Sequence, residues 1–214
     1  VGRSTGSLNR DHAETRAELA RRVAQQLLSA GGSLPSLQKL ADGAGVDPGT
    51  LRHYFSDRRG VVKAAMETLL PLGEDQKARA MSLASLPVRE ALTTLLGNVA
   101  KAWGGLLGHM HATGFVEGTV DGSLGQAYVT TMLEPTLSTV EALLGRFVAR
   151  NMLELPDVRV GALALMSPVL LACFHQFQLQ GRACRPLDLD AFVEAHVDGF
   201  LGGYAPRASV SSPV

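Results

Sequence analysis

GVDPGTLRHYF, residues 45–55, decides the fold. Gly45 ends one segment, and Asp47-Pro48 starts another. An Asp N-cap followed by Pro at the first helical position is a strong helix start. The new helix is short, about 48–54. Leu51 and Phe55 share one side of it, and Arg52 and His53 share another. Immediately upstream, SLQKLADG (36–43) has Leu37, Leu40 and Ala41 on one face and reads as a second short helix. Two short helices joined by a tight, Gly-containing turn form a helix-turn-helix.

The same reading extends outward. From Thr15 to Ala30, Leu19, Ala20, Val23, Ala24, Leu27 and Leu28 make the stripe of a helix with one buried face, stopped at Gly31-Gly32. Ser56 or Asp57 caps a fourth helix running to about Leu70. Further helices are expected at 74–84, 88–107, 124–150 with a kink at Pro135, 156–180 and 188–201. Residues 108–123, rich in Gly and polar groups, read as a loop or broken helix. Apolar residues make up 46% of the 214, and aromatics only 5%. Leu, Ala and Val dominate, without alternating β-branched runs, so the fold class is all-α.

The formal net charge is zero, but residues 1–65 carry ten Lys/Arg against six Asp/Glu. A basic front on an acidic rear points the front at a polyanion. Cys173 and Cys184 form no CxxC, so neither a disulfide framework nor a zinc site is expected, and reduced thiols suit a cytoplasmic protein. His109-x-His111 diverges on a helix, so no metal is expected there. The apolar stretch 160–174 is too short to span a bilayer and contains Ser167 and Pro168, so it reads as a helix buried in protein. There is no GxSxG, P-loop, HExxH or GxGxxG, and no enzyme is expected.

From Arg16 to Val62 the chain resembles the DNA-binding region of the TetR (tetracycline-repressor) family of bacterial regulators. LARRVAQQLLSAGG matches its first helix, SLQKLADGAGVDPGTLRHYF its helix-turn-helix, and SDRRGVV the opening of its fourth helix. Arg52 stands where the family commonly has Tyr, and Arg58 where it commonly has Lys. The resemblance implies a helix-turn-helix domain at 15–62, a larger helical ligand-binding and dimerisation domain at 63–203, and flexible ends at 1–14 and 204–214. It implies a homodimer, paired through the last two long helices, on a palindromic operator in double-stranded DNA, released by a small apolar or amphipathic effector, with no cofactor and no membrane. The alternative is a small-molecule-binding protein of the same fold with weak or lost DNA recognition.

Arg52 is the expected base reader, since a guanidinium donates two hydrogen bonds to guanine. Thr50, His53 and Tyr54 are expected phosphate contacts, joined by Ser36, Gln38 and Arg58 near helix starts, where free N–H groups favour anions. Trp103, Met110, Phe115, Tyr128, Met132 and Phe174 are candidates for lining an effector pocket. His109 and His175, with His111, are its possible polar anchors.

Overall fold

A computed structural model describes residues 5–29, 35–68 and 70–206. The elements are α1 (Thr5–Ser29), α2 (Leu37–Ala44), α3 (Pro48–Phe55), α4 (Arg58–Glu67), α5 (Leu70–Ser82), α6 (Val88–Trp103), α7 (Leu106–Val120), α8 (Gly122–Tyr128), α9 (Glu134–Ala149), α10 (Val158–Phe177), α11 (Gly181–Cys184) and α12 (Leu189–Tyr204). A 3-10 turn (Leu83–Ser85) precedes α6, and a π turn (Val129–Leu133) joins α8 to α9. No strand occurs among the described residues, so the chain is all-α.

Aspartates begin most of the helices that follow turns. Asp47, Asp57, Asp121, Asp157 and Asp188 each accept a backbone N–H from the first turn of α3, α4, α8, α10 and α12. Ser36 does the same for α2. Gly45 closes α2 in the left-handed region (φ 72°), donating back to the carbonyls of Ala41 and Asp42.

The chain divides into two compact units. The first holds residues 1–74 and 105–134, and the second holds 75–104 and 135–214. This partition by packing groups residues 63–74 and 105–134 with the helix-turn-helix, beyond the boundary expected at residue 62. In the first unit, α7, α8 and the π turn share a core with α1–α4. Leu19, Val23 and Leu27 meet Leu40, Leu51, Val61 and Met66, and the cluster continues through Met110, Leu124, Tyr128 and Met132. In the second, α6 packs on α10 and α12.

One expectation is corrected and another narrowed. Residues 5–14, expected as part of a flexible arm, continue α1, because no breaker separates them from the apolar stripe that follows. Arg10 therefore lies in a helix, Tyr204 of the expected flexible tail ends α12, and Arg3, the Gly31-Gly32 stop and the tail from 207 lie outside the described residues. Residues 108–123, expected as a loop or broken helix, are the second: helical through Val120, interrupted at Asp121 and resumed in α8. Their glycines serve contact: a Cβ on Gly118 would sit 2.7 Å from the Cα of Gly125, and one on Gly114 would strike the Tyr128 ring. Small residues let α7 and α8 approach more closely than side chains would allow.

The helix expected over 124–150 is present but interrupted. Pro135 has no N–H and its ring crowds the preceding turn. The chain widens just before it, and Glu134 N–H bonds back to Val129, the i→i−5 bond of a π turn. The apolar segment at 160–174 belongs to a helix of 20 residues, long and apolar enough by length and composition to cross a membrane. One face is buried at Ala162, Leu165, Met166, Val169 and Cys173, while Val160, Leu163 and Leu171 of the same helix are exposed.

Candidate nucleic-acid interface

The site is built on α2, α3 and the start of α4. Leu51 and Phe55 are 0% and 6% exposed, and they anchor α3 in the core of the first unit. Burying such side chains stabilises the helix by about 1.5–3 kcal/mol each, more than eight isolated residues could supply. Between these anchors Arg52 and His53 are exposed. The Arg16 guanidinium caps the Phe55 ring at 5.1 Å.

Thr50 is partly occupied within its own turn. Its N–H and hydroxyl donate to Asp47 at 3.1 and 2.6 Å, and these bonds hold the Asp47 carboxyl below the usual range. Tyr54 is half-buried, its ring 4.6 Å from that of His12 and 5.0 Å from that of His53. His12 was not among the residues singled out from sequence, because it lies in the part of α1 read as an arm. Ser36 caps α2 and is exposed, and Gln38 is exposed and donates to Asp42 at 2.8 Å.

Arg58 is the residue whose surroundings differ most from expectation. Its guanidinium turns into the first unit. Nε donates to the Pro35 carbonyl at 2.8 Å and Nη1 to Glu117 at 2.9 Å, with Nη2 completing a bidentate pair. The two side chains are 27% and 11% exposed. A fork filled by buried acceptors is not presented to a phosphate. Its neighbour Arg59 is 61% exposed and bonds Asp57 and Asp121. Asp121 accepts from the Ser123 hydroxyl, Arg59 and the Leu124 N–H, which together hold its carboxyl well below the usual range. Glu117 and Asp121 were not legible as partners of α4, since each lies about sixty positions along the chain.

The lining candidates fall in different places. Met110, Tyr128 and Met132 come together in the core of the first unit. Tyr128 Oη and His111 Nδ1 are 3.0 Å apart. Burial pushes the His111 pKa down to about 4 and that of Tyr128 up to about 12, so both are neutral near pH 7. His109 is half-buried on the same helix. Phe115 faces outward at 54% exposure. In the second unit Trp103 is buried, donating Nε1–H to Gln178 at 2.7 Å, and Phe174 is half-buried. His175 is exposed, and its Nδ1 accepts from Gln176 at 2.8 Å.

No protein-family model matches the sequence, and no curated protein does. Solved structures do match in shape. A Mesorhizobium loti protein assigned to the TetR family of transcriptional regulators superposes with a TM-score of 0.70 at 16% identity, covering 91% of this chain and 98% of that one. The fatty acid degradation regulator FadR of Bacillus halodurans gives 0.63 at 19%, covering 88% and 95%. FadR of Bacillus subtilis, solved in complex with stearoyl-CoA, gives 0.59 at 16%, covering 87% and 97%. The chain has the all-α fold of TetR-family transcriptional regulators along nearly its whole length.

Proposed function

We propose that the chain is a homodimeric, ligand-responsive transcriptional regulator that binds double-stranded DNA sequence-specifically in the cytoplasm. The outward face of α3 carries this reading. Arg52 and His53 are exposed while Leu51 and Phe55 hold the helix from behind. A short helix anchored in this way and offering a guanidinium fork suits the major groove. Arg52 reads a guanine. His53, Thr50 and Tyr54, with Ser36 and Gln38 on α2, meet phosphates. Arg58 leaves that set, because its donors serve Glu117 and Pro35.

An exposed face of α10 supports the pairing. Val160, Leu163 and Leu171 form an exposed apolar stripe, suited to an isologous contact with α10 and α12 of a second copy. Repression relieved by an apolar or amphipathic effector is the regulatory form of the reading, supported by the fold shared with the acyl-CoA-bound FadR.

Selection from random duplexes tests the proposal. The expected result is a palindrome with a guanine under α3. Arg52→Ala then relaxes preference at that base by about 1–3 kcal/mol. Enrichment of no sequence refutes sequence-specific recognition. It would leave a small-molecule-binding protein of the same fold, a reading that the inward turn of Arg58 favours.

A further inference from the structure

We infer that Arg59 is the phosphate-gripping arginine at the start of α4 and that Asp121 holds it in reserve, so DNA and the α8 cap compete for one guanidinium. This rests on the DNA-binding reading above.

The two adjacent arginines differ in what their departure would leave behind. Moving Arg58 onto a phosphate would strand Glu117, a carboxylate only 11% exposed, with its bidentate partner gone. A buried unpaired charge is costly, so Arg58 stays. Moving Arg59 strands nothing. Asp121 keeps the Ser123 N–H at 2.9 Å, the Ser123 hydroxyl at 2.6 Å and the Leu124 N–H at 3.2 Å, and so still caps α8. Asp57 keeps the Gly60 N–H at 2.9 Å and still caps α4. Arg59 itself is 61% exposed and Asp57 48%, so that pair is solvated and weak, while Asp121 at 22% is partly sheltered and keeps its own capping bonds when the arginine leaves.

Position supports the same assignment. Gly60 packs its Cα so tightly on the end of α3 that a Cβ there would overlap the Phe55 carbonyl. The first turn of α4, including Arg59, therefore sits directly beside the end of α3. A phosphate approaching α3 meets an exposed cation next to it, whose present partners are a half-exposed Asp57 and a partly buried Asp121.

The competition is reciprocal. DNA that takes Arg59 loosens its tie to α8, and whatever tightens that tie weakens DNA binding by the same factor.

The test uses the full chain and a fluorescein-labelled duplex of random sequence, because phosphate contacts are independent of sequence. Anisotropy titrations across roughly 50–200 mM salt give affinity and salt slope. Arg59→Ala is expected to lower the slope by about one, and Arg59→Lys to restore it. Asp121→Asn keeps an N-capping side chain but loses the charge, and is expected to tighten binding by about 2- to 5-fold. In the Arg59→Ala background that gain should vanish. A gain that persists there is general charge relief and overturns the inference, as does an Arg59→Ala slope equal to wild type. Thermal melts by circular dichroism confirm that each variant is folded. A wild-type chain with no salt-dependent DNA binding overturns the DNA reading and this inference together. Wild-type binding with an insensitive Arg59 overturns this inference alone.

Discussion

Glu117→Ala isolates the tie between α4 and α7. The substitution removes a carboxylate that accepts from Nη1 and Nη2 of Arg58, a side chain 27% exposed in the intact protein, and leaves only the Nε bond to the Pro35 carbonyl among those described. Deleting one member of a fully buried pair costs about 3–5 kcal/mol. Arg58 retains some access to water, so the expected loss is smaller, about 2–3 kcal/mol. For a chain of this length that lowers Tm by about 5–10 °C. The assay is urea unfolding followed by circular dichroism, run as a cycle with Arg58→Ala and the double variant. The coupling energy should be about 2 kcal/mol, because the second deletion removes a charge already stranded. A coupling under about 0.5 kcal/mol would refute the reasoning, since that is the behaviour of a solvated surface pair.

Three other outcomes are expected. Gly60→Ala should destabilise the first unit by about 2–3 kcal/mol in a thermal melt, because the new Cβ meets backbone of Phe55 that has no room to yield. Acid should also destabilise the fold. The His111 pKa is lowered from 6.5 to about 4, so the unfolded chain takes up this proton first. The contribution is complete above about pH 6.5 and is lost as pH falls through about 4, at most about 3 kcal/mol. His111→Gln should flatten that part of a stability–pH curve. Leu171→Glu, at a residue 69% exposed, should shift sedimentation from dimer to monomer without lowering helical content.

The junctions on either side of α3 were legible because their signals are local. Asp47-Pro48 started α3 where expected, Gly45 took the left-handed cap, and Leu51 and Phe55 turned inward. The ion pairs were not legible: Arg58 and Glu117 are 59 positions apart, and nothing in either neighbourhood names the other. Arg58 therefore read as a helix-start cation facing solvent. Residues 108–123 read ambiguously, as a loop or a broken helix, for a related reason. Gly114 and Gly118 look like breakers in one dimension. They are in fact the places where Tyr128 and Gly125 come closest. The π turn before Pro135 combined both kinds of information, since the proline announced a distortion without saying which one.

The seam at Gly118 and Gly125 leaves no slack between α7 and α8. Close-packed backbones transmit a push rather than absorbing it. The hairpin from 106 to 128 therefore behaves as a stiff lever with two grips on α4, Glu117 on Arg58 and Asp121 on Arg59. The first grip is sheltered, at 27% and 11% exposure, and the second less so, at 61% and 22%. Tilting the lever would part the more exposed pair before the sheltered one.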